Sequence, residues 1–274
     1  MIVLEILKVI VFGIVEGITE WLPISSTGHI ILLQSIMPLN QPEDFFNVFK
    51  VVIQLGAILA IVVLFWDKLF PLSPSKTPAE RKRTWILWTK IVIACIPAAV
   101  VGLPLDDFLD EHLSTPVVIG CMLIMYGIIF ILMENYNGNR RFPIRKVHQI
   151  DYKTAVLIGL FQCLSLIPGT SRSGATIIGS MVLGCSRAAA AEFSFFLGIP
   201  VMFGASLLKI VKHGFDFTLF QWFTLIFGML ISFIVALLVV RGLMEYIRKH
   251  NFKIFGYYRI IFGIIVLLYF IIAG

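Results

Sequence analysis

The sequence predicts an all-α integral membrane protein: about six transmembrane helices plus two re-entrant helical hairpins, in an inverted-topology repeat within one membrane domain, 1–274. Three observations predict it. The chain is 59% hydrophobic and 14% charged, with a mean hydropathy of +0.95, whereas soluble domains carry roughly 25% charged residues. That leaves too little polar surface to coat a globule of this size. Six apolar runs approach the roughly 20 residues a spanning helix needs, and two more stretches break at a proline before a Ser/Thr/Gly cluster.

The first hairpin covers about 1–40, and its apolar arm, Val3 to Ile18, stops before Pro23. Spans follow at about 45–66, 86–103 and 116–133. The second hairpin, 153–185, has an apolar arm from Ala155 to Ile167 that stops at Pro168, and spans at about 191–209, 219–240 and 256–272 complete the chain. Neither hairpin arm is long enough to cross comfortably. Non-helical backbone is tolerated at membrane depth only where protein or a wet cavity satisfies it, so both read as re-entrant, with tips at Pro23–His29 and Pro168–Gly174. Two tight loops between ordinary spans are the competing reading. Gly13 and Glu16 match Gly159 and Gln162 at one offset, Pro23 matches Pro168 one residue out of step, and Phe45 and Gly56-Ala57 match Phe193 and Gly204-Ala205 slightly later, a weak internal repeat. Repeat one is then about 1–140 and repeat two about 150–274. One hairpin plus three spans is an odd number of crossings, which turns the second copy upside down and brings the tips together inside the bilayer.

The net charge of +6, from 22 Lys and Arg against 16 Asp and Glu, follows topology, and no nucleic-acid partner is expected. Lys68, Lys76 and Arg81–Arg83 follow the first span, Arg140, Arg141, Arg145, Lys146 and Lys153 the third, and Arg241, Arg248, Lys249, Lys253 and Arg259 the fifth. These loops read as cytoplasmic. The loop from Leu105 to Pro116, with Asp106, Asp107, Asp110 and Glu111, then faces out, and both termini with it; Lys209 and Lys212 are an exception. Trp66, Trp85 and Trp88 mark inner boundaries. The first residues lack a basic leader, so no removable signal peptide is expected. Cys95, Cys121, Cys163 and Cys185 are scattered in apolar stretches, as small buried hydrophobes are.

The chemistry gathers at the tips. Glu16 and Glu20 share a helix face, and two carboxylates inside a membrane segment suggest a hard divalent cation, Mg²⁺ or Ca²⁺. After Pro23, Ser25 or Ser26 can cap a helix whose free amides, with Thr27 and Gly28, form an anion site. His29 lies close enough on that first turn to share a proton with either serine. At the second tip, Arg172 stands among Thr170, Ser171, Ser173 and Gly174 at another helix start, a set suited to phosphate. Glu20 neutralising Arg172 is the structural alternative. Together these residues describe phosphoryl transfer on a membrane-embedded phosphate ester.

The stretches Glu-Gly-Ile-Thr-Glu-Trp-Leu-Pro-Ile-Ser-Ser-Thr-Gly-His at 16–29 and Pro-Gly-Thr-Ser-Arg-Ser-Gly-Ala-Thr at 168–176 resemble the two signature motifs of bacterial undecaprenyl-diphosphate phosphatases. The likeness continues through 51–57 and Glu192–Phe195. It implies removal of the terminal phosphate from the C55 polyprenyl diphosphate, recycling the lipid carrier for cell-wall synthesis, and bacitracin resistance. It implies a place in the bacterial cytoplasmic (inner) membrane with the site opening to the outer side. Carried over by motif, Glu16, Glu20, Ser26, Thr27, His29, Ser171 and Arg172 form the site, with Asp151 resembling an acidic residue before the second hairpin. Lys50 departs from the acidic residue relatives carry, so no metal role falls there. The other membrane phosphatase family, with its lysine-arginine signature and Pro-Ser-Gly-His, is not matched.

The expected mechanism has Ser26 attacking phosphorus, His29 as base, and Arg172 with the cation on Glu16 and Glu20 offsetting charge. His29 as nucleophile and direct attack by water stay open. The alternative function is a polyprenyl-phosphate transporter or flippase on the same inverted-repeat fold, needing no nucleophile. His112, His148, His213 and His250 read as solvated. A homodimer is compatible with the sequence.

Overall fold

In the computed structural model the apolar runs become helices. Residues 2–138, 140–214 and 216–273 are described, except the side chains of Asp106, Asp107, Asp110, His213 and Ala273. In order they are α1 (Ile2–Thr19), α2 (Ser26–Ile36), α3 (Glu43–Leu64), α4 (Trp66–Leu69), α5 (Pro78–Leu113), α6 (Pro116–Tyr136), α7 (Tyr152–Cys163), α8 (Arg172–Val182), α9 (Arg187–His213), α10 (Leu219–Lys249) and α11 (Lys253–Ala273). Short 3₁₀ turns occupy Val147–Gln149 and Leu164–Leu166. The one β pairing among the described residues is a parallel bridge between Ile144 and Cys185. Helices α3, α5, α6, α9, α10 and α11 are long and apolar enough to cross a bilayer, and the protein is a multi-pass membrane protein.

Helix starts follow local chemistry. Thr77 and Glu80 cap each other at the start of α5, Thr218 and Gln221 do the same for α10, and Thr115, Asp151 and Ser186 cap α6, α7 and α9. Each side chain supplies an acceptor for an amide that has no partner inside its helix. Asp151 is exposed, and the Thr154 hydroxyl and amide hold its carboxyl below the usual carboxylate range. Its bonds are those of an N-cap.

Two expectations need correction. Helix α5 does not end near residue 103 but runs to Leu113, so the acidic stretch expected as an outward loop forms the last turns of a helix. A span read by hydropathy stops where charge begins, whereas backbone hydrogen bonding continues once water solvates the charges. The side chains of Asp106, Asp107 and Asp110 lie outside the described residues, as does that of His213. Arg259 is not a loop cation: it lies within α11 with 0% of its surface exposed.

The packing is two-fold in part: α10 also packs extensively on α3, while its counterpart pair, α5 and α9, meets only slightly. Helix α1 lies against α10 and α7 against α5, while α3 crosses α9 and α6 pairs with α11. The matched glycines sit at the first two crossings. A Cβ on Gly13 would lie 2.8 Å from the Ile231 Cβ on α10, and one on Gly159 would lie 2.3 Å from the Ala94 carbonyl oxygen on α5. Beneath the tips Trp21, Phe130, Phe193, Phe195 and Phe196 are buried in one core, and Phe12, Phe45, Phe46 and Phe49 form another. Outward-facing Val100, Ile226, Leu238 and Ile261 coat the outside with apolar surface, as lipid contact requires.

Candidate functional site

Each hairpin is two short helices joined by a break, α1 to α2 through residues 20–25 and α7 to α8 through residues 164–171. The residue before the second arm is a serine in both, and both are left-handed: Ser25 has φ 71° and Ser171 φ 71°. A non-glycine residue held there costs about 1–3 kcal/mol and needs surrounding structure to hold it. Trp21 supplies part of that structure. Its indole donates to the Ala57 carbonyl at 3.0 Å and its ring meets Phe195 edge-on, fixing the first tip to α3 and α9. The tips touch, since Ser173 Oγ donates to the Glu20 and Leu22 carbonyls at 3.4 Å each.

A short chain of bonds runs through this contact. Ser26 Oγ donates to Glu20 Oε2 at 2.6 Å, and Arg172 donates to Glu20 Oε1 at 3.1 Å. The guanidinium also donates to the Ser194 carbonyl at 2.7 Å and lies 5.0 Å from the Trp21 ring centre. The pairing weighed as the structural alternative, Glu20 with Arg172, is therefore formed. It does not retire the site, because the same carboxylate receives the serine hydrogen. Glu16 is 1% exposed, and its Oε1 has no hydrogen-bond partner among the described residues.

His29 departs from expectation. It is not bonded to Ser26; its Nδ1 lies 2.8 Å from the Ser25 carbonyl oxygen and its Nε2 2.7 Å from the Tyr258 hydroxyl. A carbonyl only accepts, so Nδ1 carries the hydrogen and Nε2 takes that of Tyr258. Phe262 stacks on the ring at 3.8 Å between centroids. Ser25 occupies the N-cap position of α2 but makes no side-chain cap bond, so the first α2 amides, around Ser26, Thr27 and Gly28, have no side-chain cap. Thr27 is exposed and Gly28 is buried. At the second tip Ser171 does cap, accepting from the Gly174 amide at 3.2 Å and lying 3.1 Å from the Ser173 hydroxyl. Lys50 stands 5.3 Å from the Phe46 ring centre.

Sequence reasoning missed three residues here. Arg259 reaches both tips: it donates to the carbonyls of Pro23 at 3.2 Å, Gly169 at 2.8 Å and Thr170 at 3.0 Å, and to Leu123 and Met122 of α6 at 3.4 Å each. The signal was an arginine inside an apolar run, 254–273. Tyr258, one residue earlier, gave none. Gly198 on α9 makes room for the Arg172 guanidinium, since a Cβ there would lie 2.6 Å from Arg172 Nη1. Gly198→Ala is expected to push Arg172 off Glu20 and lower kcat/KM about 10- to 100-fold, as small misplacements do, with thermal stability largely kept. Parent-like turnover would show that the guanidinium position is not critical.

The oxygen donors suit a hard cation. Glu16 offers an unsatisfied carboxylate oxygen beside Glu20, although among the described residues no group of three or more His, Cys, Asp or Glu side chains gathers as a ready ligand set. Two carboxylates alone are a usual Mg²⁺ set when substrate phosphate and water complete the coordination.

Crossing helices around two broken hairpins, with a hydroxyl, a carboxylate and a guanidinium joined where the hairpins touch, define a polytopic membrane protein with a buried polar cluster in its interior. Residues 9–265 match the family model described as bacitracin resistance protein BacA, and the chain belongs to that family. It is 57% identical over 267 residues to an undecaprenyl-diphosphatase of Enterococcus faecalis, covering 97% of each chain. It is 54% identical to the enzyme of that name from Limosilactobacillus fermentum, over 97% of this chain and 98% of the other. With that of Acetivibrio thermocellus the identity is 53%, over 98% of both.

Proposed function

We propose that this protein is a membrane-embedded undecaprenyl-diphosphatase, which hydrolyses undecaprenyl diphosphate to undecaprenyl phosphate and inorganic phosphate, returning the lipid carrier to cell-wall synthesis and conferring bacitracin resistance. The observation that carries the reading is the Ser26–Glu20–Arg172 chain at the contact of the two tips. Ser26 Oγ attacks the terminal phosphorus, the bridging P–O bond to the lipid phosphate breaks, and the hydroxyl proton passes to Glu20. The 2.6 Å bond between them supports Glu20 in that role, which the sequence had given to His29. Arg172 and the uncapped amides at the start of α2 receive the phosphoryl oxygens, with Ser25, Thr27, Gly28, Thr170, Ser171, Ser173 and Gly174 shaping the two nests. His29, its Nδ1 hydrogen held by Ser25, has Nε2 as its proton-accepting atom, and a water that takes the place of the Tyr258 hydroxyl there would give up a proton to it and release phosphate from Ser26. Glu16 and Glu20 would hold Mg²⁺ or Ca²⁺, which when bound offsets charge on the phosphoryl oxygens.

The placement belongs to the same reading. The hairpins re-enter, the two halves, about 1–140 and 150–274, form an inverted repeat, and the site opens to the outer side of the bacterial cytoplasmic membrane with both termini outside. Support comes from the matched left-handed serines, the paired crossings of α1 on α10 and α7 on α5, and basic residues from three segments gathered at one end of the bundle. A homodimer is tested by the particle mass in detergent.

The deciding experiment is phosphate release from undecaprenyl diphosphate by detergent-purified protein with Mg²⁺, with Ca²⁺ and with chelator. Release is expected with cation and is expected to fall at least tenfold with chelator. Glu16→Gln is expected to raise the cation concentration needed for half-maximal rate. Release unaffected by chelator would remove the cation; no release, with the lipid still bound, would overturn the phosphatase reading.

A further inference from the structure

The end of the bundle that carries the basic segments holds a cavity of about 560 Å³ that the phosphatase mechanism does not use. Six cations line it: Lys68, Lys76, Arg83, Arg145, Lys146 and Arg248. They come from distant parts of the sequence: α4 and the segment after it, the first turns of α5, the approach to the 3₁₀ turn at Val147, and the last turn of α10. The bias of cytoplasmic loops toward Lys and Arg explains why such residues occur on one side. It does not explain their convergence on one concavity, where like charges repel.

Their neutralisation is incomplete. The carboxylates lining the cavity are Asp67, Glu80 and Glu192. Glu192 is engaged by Lys68, and Glu80 is taken up in the Thr77 cap. The side chains of Arg145 and Arg248 have no hydrogen-bond or ion-pair partner among the described residues, and Arg83 shares the charge of Glu80 with Lys76 without a hydrogen bond to it. A guanidinium fork matches phosphate oxygens bidentately as well as it does a carboxylate, and several forks around one cavity suit an anion with many oxygens. Ala188 and Ala189 form part of the wall, so the first turn of α9 meets the cavity with no bulky side chain in the way.

We propose that this cavity is a second anion site, separate from the hairpin tips, that binds a multiply charged phosphate ligand, either a soluble diphosphate or the paired phosphates of an anionic lipid headgroup. The excess of cation over carboxylate sets the charge of the ligand, and the volume is that of an ordinary small-molecule site. Basic pockets between membrane helices are a recurring way of holding lipid phosphates.

The full-length protein in phosphatidylcholine nanodiscs is treated with an arginine-selective dicarbonyl reagent, and modification is followed residue by residue by mass spectrometry. Inorganic pyrophosphate is expected to slow labelling of Arg83, Arg145 and Arg248 at least fivefold and to leave exposed Arg241 unchanged. Equal protection by nanodiscs containing cardiolipin, without pyrophosphate, assigns the site to a lipid headgroup; protection by pyrophosphate alone assigns it to a soluble anion. Unslowed labelling in both arms, or equal slowing of Arg241, overturns the proposal. In a second test, Arg83→Gln with Arg248→Gln is expected to abolish the protection of Arg145 while phosphate release from undecaprenyl diphosphate continues at the parent rate. Persisting protection of Arg145 in that variant also overturns it.

Discussion

Ser26→Ala is expected to lower turnover of undecaprenyl diphosphate by at least about a thousandfold, the scale on which removal of an attacking group acts, and to leave the fold intact. The reason is local. The hydroxyl is buried, it has one strong acceptor in Glu20, and Glu20 is turned toward it by Arg172 from the opposite tip. Loss of the hydroxyl leaves Glu20 with the arginine bond, so little is unsatisfied and the helix start stays in place. A structural change would therefore not account for lost activity. Rapid quenching of the parent enzyme should trap phosphoserine at position 26. A phosphoramidate at His29, or near-full turnover by the alanine variant, would remove Ser26 as nucleophile. Glu20→Gln separates proton acceptance from charge pairing: it should cut turnover and also destabilise, because Arg172 then loses its anionic partner.

The second large effect is expected at Arg259. Its guanidinium is fully buried and donates to five carbonyls, on Pro23, Gly169, Thr170, Leu123 and Met122. The first three belong to the breaks, where the backbone has left its helix and has few partners of its own. Arg259→Leu would leave these oxygens without a donor, at about 1–3 kcal/mol for each that water does not reach. The sum is expected near 3–5 kcal/mol, as for removal of one member of a buried charged network, and should lower the unfolding midpoint by about 10 °C. Turnover should fall at least a hundredfold, since both tips lose their common anchor. Arg259→Lys keeps the charge but not the fork, and should recover part of the stability and less of the activity. A leucine variant that melts and turns over like the parent would show that the tips hold themselves.

The contrast between these two residues explains what could be read in the chain. Ser26, Glu16, Glu20 and His29 lie within fourteen consecutive residues, and Arg172 lies in a nine-residue motif. Local chemistry exposed them, as hydropathy exposed the six spans and proline the two breaks. The partner of Ser26 was not legible. Helical spacing favours His29, three residues on, but the left-handed backbone at Ser25 turns its carbonyl toward the imidazole, and the break folds Glu20 back onto the serine. Arg259 was misread because charge is ordinarily evidence of a loop, and only three-dimensional structure shows that it faces the carbonyls of two breaks. Gly198 carries no chemistry at all. Its importance is the side chain it lacks, opposite a residue 26 positions away.

The two left-handed serines also bear on what each break costs the fold. Glycine would fit the backbone at either position with less strain, so Ser25→Gly and Ser171→Gly should each relieve part of it. Among the described residues the other left-handed positions, Gly169, Gly184 and Gly214, are glycines. The two breaks thus hold their angles by packing from outside, whereas the other three hold theirs by the absence of a side chain.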